Sequence, residues 1–246
     1  MLALLPLSVY GAELRSIDVT HDDGVYKMIS VTWIDAPVQG VFDVLTDYDE
    51  FERLSSIYDE AHYLELEDDA SPKVYTRVEG CVRFYCQTME RTEVLTNLGV
   101  HCIRAVADPD ESDFHSSDAT WQLHEVDGGT EVHYAIVMEP DFFIPPLIGP
   151  YVLKKRLRNG GSDAIDRIES FAQASEADMD TFRERGLNLD AEPNVTCEDW
   201  LTELPRRSPS ACWRGLMCMV DPIFPGSIRE PDIESGSPRS CCSKLK

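Results

Sequence analysis

The chain has 246 residues, 43% of them hydrophobic, and a formal net charge of −23. That length holds one well-packed domain with material to spare, and that hydrophobic share is globular rather than disordered. So acidic a chain is a poor nucleic-acid binder, because phosphate contacts need clustered Lys and Arg.

The first twelve residues of MLALLPLSVYGAELR read as the end of a signal peptide without its basic start, with cleavage near Gly11 or Ala12. The alternative is a first strand or a frayed terminus. Export would make the protein periplasmic or secreted; otherwise it is cytoplasmic. Two strands follow, Leu14–Thr20 and Val25–Ile34, joined by a turn at His21-Asp22-Asp23-Gly24. Pro37 then opens a helix in which Val38, Val41, Phe42 and Leu45 keep the helical period. A second short helix is expected over Tyr48–Leu54.

Six extended segments come next: Asp59–Leu66, Lys73–Cys81, Phe84–Leu95, His101–Ala107, Ala119–Val126 and Glu131–Met138. Breaks fall at turn signals, among them Asp108-Pro109-Asp110 and Asp127-Gly128-Gly129. In the last segment Val132, Tyr134, Ile136 and Met138 form the bulkier, inward set. Cys81 and Cys86, close together in GCVRFYC, are candidates for a local disulfide if the chain is exported. In a reducing compartment they are ordinary buried thiols, and Cys102 is a competing partner.

Residues 140–157 read PDFFIPPLIGPYVLKKRL. This run is too short to span a bilayer, which takes about 20 apolar residues, and its prolines would break the helix. It is a buried corner, a rim over an apolar ligand, or a membrane-surface contact. A helix from about Pro150 to Gln173 follows, with Leu153, Leu157, Ala164, Ile165, Ile168 and Phe171 in one stripe and Gly160-Gly161 interrupting it. Lys154, Lys155, Arg156 and Arg158 form a basic cluster that reads as a solvated helix face. Residues 175–246 have no sustained period and read as an acidic, mostly disordered tail. A short helix at Met179–Leu187 is compatible with the pattern. The domain proper is thus 13–174. The tail cysteines match no zinc spacing, and no histidine lies beyond His133, so no metal site is expected.

No nucleophile, metalloprotease, phosphate-loop or dinucleotide motif is present. Arg77, Glu79 and Tyr134 are strand residues of the kind that could support proton transfer inside a cavity; their plainer reading is as surface or edge groups. No residue is singled out as catalytic, and no cofactor is expected.

Two strands, one or two short helices, about six antiparallel strands and a long amphipathic helix make an α+β chain. One helix laid across a curved sheet covers its apolar face and leaves a pocket between the layers. Ala36-Pro37 with Val41-Phe42-Asp43-Val44-Leu45-Thr46-Asp47-Tyr48 and Phe51, then Trp121-Gln122-Leu123 with Gly129-Thr130-Glu131-Val132 and Tyr134, resemble the START-like (SRPBCC, helix-grip) superfamily. The likeness is nearest its bacterial polyketide cyclase/coenzyme-Q-binding branch, and it covers roughly residues 14–173.

The resemblance implies a helix-grip fold: a curved antiparallel sheet wrapped around the long C-terminal helix, with the short helices after the second strand. It also implies a hydrophobic small molecule, of the lipid, quinone or polyketide class, held between sheet and helix. Phe42 and Leu45 from the first helix, with Trp121, Tyr134, Ile136 and Met138 from the last hairpin, would line that space. Phe142, Phe143 and Ile144 would form its rim, and Tyr151, Leu153 and Leu157 would continue it along the helix. A non-catalytic carrier is the first expectation. A cyclase or dehydratase is the second, and an interaction module using the tail the third. Transient membrane contact suits a ligand taken from a bilayer; the sequence defines no protein partner.

Overall fold

The computed structural model describes residues 11–65, 71–82, 85–142, 151, 164–190 and 197. The chain divides into two units, Met1–Leu201 and Thr202–Lys246, and everything described lies in the first. Its strands are β1 (Glu13–Asp22), β2 (Val25–Ile34), β3 (Tyr58–Tyr63), β4 (Lys73–Val82), β5 (Tyr85–Leu98), β6 (Cys102–Ser112), β7 (Phe114–Val126) and β8 (Gly129–Pro140). They form one sheet in the order β1-β2-β8-β7-β6-β5-β4-β3, with every pairing antiparallel. The helices are α1 (Val38–Thr46), a 3-10 turn (Tyr48–Glu50) and α2 (Phe51–Leu54). A helix over residues 164–174 is α3, and Met179–Glu184 is α4. This is the helix-grip α+β class.

Two hairpins are set by their turn residues. Asp23-Gly24 and Asp127-Gly128 both have positive φ at each position, the backbone that matches the twist of tight two-residue hairpins. The α1–α2 connection carries the chain from β2 to β3 at the far edge of the sheet. The strand expected to stop at Asp108-Pro109-Asp110 continues to Ser112 instead. Glu93 pairs with Ala107 but Arg91 pairs with Ser112, so the Asp-Pro-Asp stretch is absorbed as a bulge, where Pro needs no ladder hydrogen bond. Strand β7 likewise starts at Phe114 rather than Ala119.

The core sits between one face of the sheet and α1. Ile34, Leu95, Ile103, Leu123 and Val132 from the strands meet Val41, Phe42, Leu45 and Tyr48. Helix α3 contributes Ala172, buried in that core, with Ile168 and Phe171 packed against it. The α1–α3 approach is close enough that a Cβ on Gly40 would overlap the carbonyl oxygen of Ala172. The start of α1 is tied to α3 by Glu169, which accepts from the Asp35 backbone N–H at 3.0 Å, and by Gln173, which donates to the Asp35 carbonyl at 2.6 Å.

The structure continues past residue 174. Residues 175–190 fold onto the domain. Asp178 caps α4 by accepting from the N–H groups of Asp180 and Thr181. Phe182 is fully buried, with its ring edge-on to Phe42 at 5.0 Å. Arg185 pairs with Asp43 at 2.8 Å and Asp47 at 3.1 Å on the outer turn of α1. Asn188 then exchanges hydrogen bonds with Asn97 of β5, and Cys197 is disulfide-bonded to Cys102 of β6. A strap therefore runs from α3 across α1 to the turn between β5 and β6. Cys81 and Cys86 are register partners across β4 and β5, and Cys86 is disulfide-bonded. Among the described residues no helix is long and apolar enough to cross a membrane.

Two stability predictions follow from these contacts. Gly40→Ala should cost about 1–3 kcal/mol through overpacking, and Phe182→Ala about 3–5 kcal/mol through the cavity it leaves. Denaturant unfolding of each variant checks both. A dispensable tail would show no loss for Phe182→Ala.

Candidate functional site

Residues directly opposite in antiparallel pairs share a face of the sheet, so the registers define what faces the helices. Ser30, Tyr134, Trp121 and Ile103 make one row; Met28, Ile136, Ala119 and Ala105 the next; Tyr26, Met138 and Ser117 the one after. On the same face β5 presents Arg91, Glu93, Leu95 and Asn97. The face has two halves. Around Leu95, Ile103, Leu123 and Val132 it is closed and packed. Around Met28, Ser30, Trp121, Tyr134, Met138 and Tyr58 it is half-buried.

Where the halves meet lies a charged pair. Arg91 Nε is 3.0 Å from Glu93 Oε2, and the Glu93 side chain is only 1% exposed. Arg91 Nη1 also donates to Ser117 Oγ at 3.4 Å. The bulge in the β5–β6 ladder falls at these two residues, a device that re-aims side chains in sheets and recurs beside functional sites. Burial raises the Glu93 carboxyl above its usual range, against the opposing pull of Arg91. Burial also lifts the hydroxyls of Tyr48, Tyr58 and Tyr134. Tyr134 packs on Trp121 with ring centroids 4.9 Å apart. The second carboxylate oxygen, Glu93 Oε1, is buried and has no hydrogen-bond partner.

A buried ion pair rarely repays its own desolvation, and apolar residues of similar volume do as well or better for stability. The pair therefore adds little to the fold, and perturbed groups on a half-buried face are candidates for function.

The expected site residues divide. Trp121, Tyr134 and Met138 are half-buried on the helix-facing side, and Ile136 is buried there. Phe42 and Leu45 lie in the packed half, where Phe182 covers Phe42. Phe142 is half-buried, edge-on to Phe114 at 6.0 Å. Tyr151 is 67% exposed. Phe143, Ile144, Leu153 and Leu157 lie outside the described residues. Arg77 is on the opposite face, paired with Glu60 at 2.7 Å, and Glu79 is exposed. The charged groups that face inward are Arg91 and Glu93, which the sequence reading passed over.

A separate cleft of about 250 Å³ lies beside α1, α2 and α3, lined by Asp43, Asp47, Glu50, Arg53 and Phe171 among others. Its acids are held by Arg185 and Arg53, which makes it a seam between elements. Among the described residues no cluster of His, Cys, Asp and Glu could hold a metal ion.

A family model described as polyketide cyclase / dehydrase and lipid transport matches residues 28–169. It leaves out all of β1 and the whole strap. No curated protein sequence matches the chain significantly. Among solved structures, a STAR-related lipid transfer protein from Xanthomonas axonopodis is 14% identical, with 62% of this chain and 98% of that one covered, at a TM-score of 0.49. A START superfamily protein from Mycobacterium smegmatis is 11% identical over 58% and 97% of the two chains, at 0.48. The Zhui aromatase/cyclase from Streptomyces sp. R1128 is 12% identical over 60% and 93%, at 0.46.

The charged pair makes a prediction of its own. Arg91→Met alone should cost about 3–5 kcal/mol, because it strands the Glu93 charge, whereas Arg91→Met with Glu93→Leu should be near neutral. Unfolding of the single and double variants tests this; equal losses would mean that the pair is needed for folding.

Proposed function

Because the chain belongs to the polyketide cyclase/dehydrase and lipid transport family, we propose that it binds a hydrophobic small molecule of the lipid, quinone or polyketide-like class and carries it unchanged. The molecule lies against the half-buried part of the helix-facing side, its apolar body on Trp121, Tyr134, Ile136 and Met138 and its oxygenated end at Arg91 and Glu93. The observation that carries this reading is a fully buried acid, paired with a partly buried arginine, on the same face as a half-buried aromatic and aliphatic surface. Burying about 300 Å² of apolar ligand surface at about 25 cal/mol per Å² is worth roughly 7 kcal/mol before ordering costs. That is sufficient for a carrier without any bond being made.

Carriage is favoured over turnover by the state of the polar groups. Arg91 and Glu93 neutralise one another at 3.0 Å. The tyrosine hydroxyls, raised by burial, stay protonated at neutral pH and serve as fixed hydrogen-bonding groups. A cyclase or dehydratase is the second reading, and the raised Glu93 carboxyl is what favours it. The Cys102–Cys197 disulfide supports export, since such bonds persist in oxidising compartments.

Native mass spectrometry of protein purified without detergent, followed by solvent extraction, tests the proposal. A stoichiometric apolar molecule recovered unchanged after incubation with the protein is the expected result. Conversion of that molecule on incubation would favour the enzyme. An empty protein that ignores a panel of lipids and quinones would end the binding reading.

A further inference from the structure

We infer that the molecule held here presents a hydroxyl, alcoholic or phenolic, as a hydrogen-bond donor to Glu93 Oε1, so that this site selects hydroxylated ligands over their ether or keto counterparts. The inference rests on the binding reading above and deepens it.

Of the two carboxylate oxygens, Oε2 is taken by Arg91 at 3.0 Å. Oε1 is buried, with no partner, on a side chain 1% exposed. An unmet acceptor in such a place costs about 1–3 kcal/mol, and more when charged. The neighbouring groups do not relieve it. Arg91 spends Nη1 on Ser117 Oγ. Tyr48 and Tyr58 are close enough to feel the Glu93 charge, as is Tyr134, yet none donates to it. Ionised opposite Arg91, the carboxylate is an acceptor only, so a ligand that completes the site in that form must bring the proton. An ether or ketone at the same point would set lone pairs against the carboxylate and leave Oε1 unmet. Sites built around one such hydrogen bond reject the analogue that lacks it far more strongly than a methylene-sized difference would allow.

The test uses the full-length protein and three probes with one apolar body: 4-dodecylphenol, 4-dodecylanisole and dodecylbenzene. Dissociation constants are measured by isothermal titration calorimetry. The phenol should bind about tenfold or more tighter than the anisole, the range expected of a hydrogen bond to a charged group. In the Arg91→Met/Glu93→Leu variant, shown to be folded by circular dichroism, the phenol and anisole should bind alike. Equal affinities in the wild type would overturn the inference. So would a tighter anisole, which would mean that Glu93 is protonated and donates. Discrimination that survives in the double variant would place the acceptor elsewhere and overturn it too. If the wild type binds none of the three, the failure belongs to the binding reading itself.

Discussion

An eight-stranded antiparallel sheet has a large face to hide from water, and α1 hides only one end of it. The nine residues of α1 span roughly 13 Å, far less than eight strands at about 4.8 Å spacing. The closed end is consequently tight. Phe42 and Val41 are fully buried, and α1 meets α3 so closely that only glycine fits at position 40. The other end keeps Trp121, Tyr134 and Met138 half-buried. Among the described residues, the two ends of the face thus differ in how tightly they are packed.

The boundary between the two halves is chemical as well as geometric. Leu95 is fully buried in the core, and Glu93, two residues earlier on the same face, is a fully buried acid. A strand that changes from aliphatic to ionic within two positions, at a bulge, is not optimised for packing. Desolvating Arg91 and Glu93 is costly, and the pair gives back little in stability. What it provides is an oriented polar end to an otherwise apolar surface.

Much of the sheet was legible in the sequence because its signals are local. Asp-Gly at 23–24 and 127–128 dictated two turns, and the bulky set Val132, Tyr134, Ile136 and Met138 marked the inward face of β8. Strand β5 resisted the same reading. Its helix-facing set is Met89, Arg91, Glu93, Leu95 and Asn97, and its outward set is Glu90, Thr92, Val94 and Thr96. Both sets are mixed, so alternation alone cannot say which face is buried, and Arg77 and Glu79 on β4 looked equally eligible. Register decides: Arg91 lies opposite buried Thr76, while Arg77 lies opposite exposed Glu90. The strap was illegible for a different reason. Its contacts reach 91 residues back to Asn97 and 95 back to Cys102, and one buried Phe182 in a six-residue helix leaves no period to detect.

The strap also bears on the site. It is tied at Asn97 and at Cys102, the two sides of the turn that joins β5 to β6. Asn97 is four residues from Glu93 on the same face of β5, about 13 Å along the strand. A hairpin held at its turn on both strands has little freedom to slip in register, and a slip of one residue would move Glu93 from the buried face to the opposite one. The bulge between Arg91 and Glu93 makes this ladder the irregular one that most needs such restraint. A segment outside the family match is therefore anchored on the strand that carries the polar pair, through contacts made nearly a hundred residues away in sequence.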